Sequence, residues 1–159
     1  NNKIQYVKLS NNGLYVASVS ENGRKVKVYD SLSGSIIKEF IRGIYMSEIV
    51  NIEFDLTCVY LLVYSITGTV HIYDIMSKNT EMSINKISNY LLNYNVVNYE
   101  YSLYRLELNK VNKMCVLVNI NNIFVLSESK ISNYRLKTVE NNKKYVCYSE
   151  YSINNRTDF

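Results

Sequence analysis

The 159-residue chain has a net charge of +4, which permits an anionic partner, and no block of like charge of the kind that binds nucleic acid. No apolar run is long enough to cross a bilayer, and no signal peptide is visible. Its three cysteines, Cys58, Cys115 and Cys147, are odd in number and lack metal-ligand spacing, so they read as buried free thiols in a reducing compartment.

In chain order, residues 4–10 alternate weakly and predict a strand. Asn11-Asn12-Gly13 is a turn. Residues 14–20 and 25–30 form a hairpin around Gly23. A turn at 31–34 leads to an outer strand at 35–40. Residues 49–55 begin the next unit, and its hairpin is the stretch 60–74, YLLVYSITGTVHIYD. An apolar run there meets a turn with Gly68, and an alternating run follows. Residues 77–101 break the pattern. Their first part is polar; Ile84, Ile87, Leu91 and Tyr94 then recur at helical spacing. Strand character resumes at 102–108, 113–119, 122–129 and 132–139, with an outer strand at 145–153 and a tail at 154–159.

The two hairpins are near copies. Tyr29-Asp30 and Tyr73-Asp74 lie 44 residues apart, and Gly23 and Gly68 lie 45 apart. A period of about 40–45 residues with short strands is the signature of β-propeller blades. A weaker third copy spans 123–136, displaced by the insertion at 77–101. The expected fold is all-β: a partial propeller with blades at 1–43, 44–109 (carrying the insertion) and 110–153. Three blades do not close a ring and leave sheet edges unpaired, and the chain does not begin with Met. It is therefore expected to be the C-terminal part of a longer protein.

Ile41 and Arg42 are adjacent in an extended segment, so their side chains point to opposite sides. If Arg42 faces the second blade, it approaches Ser65, Thr69 and His71. A guanidinium, two hydroxyls and an imidazole make a phosphate site. The competing reading is that Ser65 and Thr69 cap the turn and His71 is a half-exposed strand residue. Spacing alone favours the second.

Phe40-Ile41-Arg42-Gly43 resembles the Phe-Arg-Arg-Gly motif of the PROPPIN family, the phosphoinositide-binding seven-bladed WD-repeat propellers that include the WIPI proteins. The flanks agree. ASVSENGRKVKVYD at 17–30 is similar to the segment before the motif, and 65–73 to the segment after it. Residues 99–108 and 132–136 resemble strands near the family's C-terminal end. The resemblance implies blades five to seven, and binding of phosphatidylinositol 3-phosphate and the 3,5-bisphosphate in two pockets. One pocket would use Arg42, Ser65, Thr69 and His71, beside Gly43. The other would use Ser18, Ser20 and Lys27, with Arg24 nearby. Ile41 replaces the first motif arginine, Lys27 stands where the family has Arg, and Arg24 replaces a threonine. One sound and one weakened pocket are expected. The family's sixth blade also carries a membrane-inserting loop, which implies insertion of Tyr90, Leu91, Leu92, Val96 and Val97.

The resemblance thus implies a lipid-binding peripheral membrane protein of autophagy or endolysosomal transport. It would be cytoplasmic and recruited to endosomal, vacuolar or autophagic membranes, with autophagy-machinery proteins as partners and no nucleic acid. The reference pKa of His71, about 6.5, suggests tighter binding at mildly acid pH. The rival reading is a protein-interaction WD-repeat scaffold without lipid binding. No catalytic constellation, cofactor or metal is expected.

Overall fold

The computed structural model describes residues 3–77, 102–108, 114–139 and 142–153, with 115, 117, 139 and 142 described by backbone alone. Twelve strands follow in order: β1 (Ile4–Leu9), β2 (Tyr15–Ser20), β3 (Lys25–Asp30), β4 (Ile36–Ile41), β5 (Ile49–Phe54), β6 (Tyr60–Ser65), β7 (Thr69–Asp74), β8 (Tyr104–Glu107), β9 (Met114–Asn119), β10 (Asn122–Leu126), β11 (Lys130–Val139) and β12 (Asn142–Ser152). They make three four-stranded sheets, each antiparallel and in sequence order: β1 to β4, β5 to β8 and β9 to β12. β5 touches both β1 and β9, while β8 touches β12. The first strands therefore lie together, and β4, β8 and β12 form an outer rim. This is the blade arrangement of a β-propeller.

Burial explains the hydrophobic patterns. β3 alternates between buried and half-buried positions because one face of its sheet packs inward, with Val26 and Val28 fully buried. β6 is an unbroken apolar run because the middle sheet is covered on both faces. Leu61, Val63 and Tyr73 pack with Ala17, Val19, Val26, Val28 and Phe40 of the first sheet. Leu62, Tyr64, Val70 and Ile72 pack with Ile123, Val125 and Tyr145 of the third.

The repeated residues are repeated turns. Gly23 (φ 67°) and Gly68 (φ 84°) sit in the left-handed region at the β2–β3 and β6–β7 turns. Chain leaving the outer strand crosses each turn closely. A Cβ on Gly23 would overlap the Ser47 carbonyl, and one on Gly68 would lie 2.5 Å from the Leu108 oxygen. Asp30 and Asp74 each accept backbone N–H bonds in the turn that follows, from Ser33 at 2.7 Å and from Met76 and Ser77 at 2.9 Å. Those bonds, led by the Ser33 N–H, hold the Asp30 carboxyl below its ordinary value.

Two expectations need correction or delimiting. Cys58 is buried, but Cys147 is exposed, because it lies on the rim strand β12. The helical spacing at 84–94, the inserting residues Tyr90, Leu91, Leu92, Val96 and Val97, Tyr99 of the family-like segment, and the tail at 154–159 lie outside the described residues. Among the described residues no helix is long and apolar enough to cross a membrane.

Candidate functional site

Thr69, His71 and Tyr73 alternate along β7, so all three face the first sheet. The β7–β8 register places Glu107 opposite Thr69 and Arg105 opposite His71. From the other side, Arg42 follows directly on the end of β4. Its Nε donates to the Gly23 carbonyl at 2.5 Å and its Nη2 donates to the Tyr45 carbonyl at 2.7 Å. The guanidinium is thus fixed by two neutral acceptors, and no carboxylate among the described residues pairs with it. A guanidinium has five N–H donors, so three stay available.

Its charge acts on β7. His71 is only 7% exposed. Its pKa falls from 6.5 to about 4, chiefly through burial, then through the Arg42 and Arg105 charges. Arg42 is itself lowered, first by burial and also by Arg105. The imidazole Nδ1 lies 3.1 Å from the Ser102 hydroxyl, and the ring stacks on Tyr73 at 6.2 Å between centroids. Tyr73 packs in turn on Phe40 at 4.6 Å. The Tyr73 hydroxyl is buried without a hydrogen-bond partner, and burial pushes its pKa up. Two readings therefore change. His71 is buried rather than half-exposed, and in the free protein it stays neutral in mild acid instead of supplying a third cation.

The Arg42 and Arg105 charges both act on His71, Ser102 lies within hydrogen-bond distance of it, and Thr69 shares its strand face. Nothing in the sequence singled out Arg105, because the insertion hides its register opposite His71. Arg105 is partly offset by an exposed ion pair to Glu107 at 2.8 Å, a contact worth little in water. Ser65 is not at the surface of this group. It is fully buried, and its hydroxyl bonds Thr67 Oγ1 at 2.9 Å and the Thr69 carbonyl at 3.2 Å. Gly43 is nearby in sequence, and a Cβ there would meet nothing within 4 Å. Unlike Gly23 and Gly68, the fold does not require it.

The second predicted group lies on the opposite face of the first sheet. Ser18 pairs across the strands with Lys27, and Lys27 with Glu39. Glu39 is 3.5 Å from Lys27 and 3.4 Å from Lys25. Lys25 also sits opposite Ile41. A carboxylate therefore occupies the centre of this group where Ile41 has already removed a cation. Ser20 repeats the Ser65 turn, accepting the Lys25 N–H at 3.1 Å and bonding Asn22 at 2.8 Å. Arg24 is exposed on that turn, and its carbonyl accepts the Arg42 N–H at 2.8 Å.

Comparison with known proteins gives concordant results. The chain is 35% identical over 81 residues to SVP1-like protein 2 of Saccharomyces cerevisiae, covering 50% of this chain and 18% of the relative. It is 36% identical over 78 residues to Autophagy-related protein 18 of Kluyveromyces lactis, covering 49% and 15%. Over about half its length the chain is thus similar to proteins of the PROPPIN family. Among solved structures, Hsv2 of Kluyveromyces marxianus superposes with a TM-score of 0.72 at 18% identity, covering 94% of this chain and 46% of that one. A complex of KlAtg21 with the coiled-coil of AgAtg16 gives 0.69 at 15% identity, covering 96% and 42%. The fold is therefore that of the PROPPIN propellers. The matched stretch spans under a fifth of these two curated relatives. No family model matches the chain.

Proposed function

We propose that the chain binds the phosphate groups of a phosphoinositide at the rim between its first two sheets, and so recruits its protein to membranes. Arg42 carries the reading. It is anchored by two carbonyls, free of any carboxylate among the described residues, and its charge acts with that of Arg105 on a buried neutral histidine. The two guanidinium charges that act on the uncharged ring repel each other, and a phosphate relieves that repulsion. In the tautomer whose Nδ1 accepts from the Ser102 hydroxyl, the neutral ring carries its proton on Nε2 and offers it to a phosphate oxygen. The Thr69 hydroxyl is a further donor, and Ser65 positions the turn that carries it.

The ligands proposed are phosphatidylinositol 3-phosphate and the 3,5-bisphosphate, in autophagy or endolysosomal traffic. The protein would act peripherally on endosomal, vacuolar or autophagic membranes, with proteins of the autophagy machinery as partners. What supports this is the relationship to Autophagy-related protein 18. The Ser18, Ser20, Arg24 and Lys27 group would contribute less, because Glu39 neutralises it.

The test is flotation of wild type, Arg42→Ala and Arg105→Ala with vesicles that contain the 3-phosphate lipid. Loss of one charge-assisted contact should weaken binding by about 2 kcal/mol, or roughly thirtyfold. Equal flotation of wild type and Arg42→Ala would overturn the assignment. Ile41 and Glu39 favour a second reading, a protein-interaction scaffold; lipid-independent recruitment to a protein partner would support it.

A further inference from the structure

The connection from β4 to β5 presents three large apolar residues in a row to solvent. Ile44 is 61% exposed, Tyr45 79% and Met46 74%. The β1–β2, β3–β4, β5–β6 and β6–β7 turns each expose one such residue, Leu14, Leu32, Leu56 and Ile66. Single exposed residues of that kind are ordinary; a contiguous patch marks a surface that meets something. Exposed apolar residues on the outer sheets, such as Val7, Leu9, Met114 and Val116, have a simpler cause, because the first and third sheets each pack on the middle sheet alone. The β4–β5 connection joins two sheets that are packed on each other, so a missing neighbour does not explain its exposure.

The connection is also held in place. Both of its ends are tied to the β2–β3 turn. The Arg42 N–H bonds the Arg24 carbonyl at 2.8 Å, and the Ser47 N–H bonds the Asn22 carbonyl at 3.1 Å. Between those ends, Arg42 Nη2 donates to the Tyr45 carbonyl at 2.7 Å. The three side chains therefore stand at the tip of a pinned loop whose backbone touches the guanidinium. A loop ordered beforehand loses little entropy on contact.

We propose that Ile44, Tyr45 and Met46 form an apolar anchor that enters the membrane interface beside the head group held by Arg42. The inference rests on the membrane-recruitment reading above and adds to it a contact that no phosphate makes. The Arg42–Tyr45 bond selects the occupant: a bilayer whose head group meets the guanidinium also meets the tip. Size points the same way. A specific protein interface takes about 20–30 residues a side, whereas a few apolar side chains suffice to hold to a bilayer surface already gripped elsewhere. Tyr45 suits the boundary between head groups and chains. Charge limits the depth. No carboxylate lies in residues 41–47, but Glu21 and Glu48 share a cleft with Met46 at the foot of the loop. Glu21 is paired with Lys3 at 3.7 Å. Burying carboxylates in hydrocarbon is costly, so the tip enters and the foot stays in water.

The chain has no tryptophan, so Tyr45→Trp places a single reporter at the tip. On phosphatidylcholine vesicles that contain the 3-phosphate lipid, its emission should shift to the blue, and brominated acyl chains should quench it. Ile44→Ser with Met46→Ser should bind these vesicles more weakly, by about tenfold to a hundredfold for half-burial of two such side chains. The same double variant should melt like wild type, because both side chains are exposed, and should bind soluble inositol 1,3-bisphosphate like wild type. An unmoved emission from vesicle-bound protein would overturn the proposal. So would vesicle binding by the double variant equal to wild type, or a blue shift that appears with a protein partner and not with vesicles. Comparison with Arg42→Ala keeps the two readings apart. A quenched reporter, in a protein whose Arg42→Ala form floats as well as wild type, supports the tip and removes the Arg42 site. Flotation that needs Arg42 while the reporter stays unquenched removes the tip and leaves the Arg42 site standing.

Discussion

His71 is the chain's only histidine, which makes its protonation directly measurable. Its pKa in the folded protein is about 4, against 6.5 when unperturbed. The unfolded chain therefore takes up a proton below pH 6.5 while the folded chain does not. A basic group whose folded pKa is depressed stabilises the fold least in acid. Stability falls as pH drops below 6.5, by up to about 1.4 kcal/mol per pH unit, and the loss levels off below about 4. The whole interval is worth about 3 kcal/mol, a large share of the stability of a small domain. The assay is urea unfolding between pH 7.5 and 4 for wild type and His71→Gln, alongside an NMR titration of the imidazole Cε1–H. Asp30 and Glu150, whose pKa values are lowered by hydrogen bonds, lose their stabilisation at lower pH in both proteins. The difference between wild type and His71→Gln therefore isolates the imidazole. Adding inositol 1,3-bisphosphate should raise the His71 midpoint, because the phosphate offsets Arg42 and Arg105. A midpoint at or above 6.5 in the free protein, or parallel stability curves, would refute the buried, doubly cation-flanked placement of His71.

The other predictions separate residues that hold the fold from residues that meet the ligand. Gly68→Ala should cost at least about 2 kcal/mol, from its positive φ and the approach of the Leu108 carbonyl, and thermal or urea melts would read it. Gly43→Ala should leave the melt unchanged, since its Cβ meets nothing, and should weaken flotation only if a head group passes over it. Glu39→Gln should release Lys25 and Lys27 and raise binding to vesicles that carry the 3-phosphate lipid, measured in an Arg42→Ala background. No gain there would mean that the Lys27 group does not contact lipid.

What could be read from the residues depended on the range of the interaction involved. The blades were legible because their signals are local: left-handed glycines, aspartates capping a turn two or three residues on, and apolar periods set by whether one face or two are covered. Arg42 stood out through the likeness of Phe40-Ile41-Arg42-Gly43 to a family motif, while spacing alone favoured the reading without a ligand. Arg105 and Glu39 were not legible, since each acts through a cross-strand register, and no register can be assigned across a 25-residue insertion or from alternation alone. The serines differ: spacing alone read Ser65 as capping its turn, and its hydroxyl bonds Thr67 and the Thr69 carbonyl there. Ser20 and Ser65 occupy the same place in successive hairpins, and there each hydroxyl engages its own turn. A serine that recurs with the blade period is thus accounted for by the turn. Evidence of a ligand has to come from residues that break the period. Arg42 and Gly43 follow the outer strand of the first sheet, where no carboxylate among the described residues pairs with the cation and the fold does not require the glycine. Glu39 lies within that strand and places a carboxylate between two lysines on the opposite face. Hence one hairpin design, built twice, presents an uncompensated guanidinium on one side of its strand and a neutralised lysine pair on the other. The difference in lipid affinity between the two sides should follow that single inequality of charge.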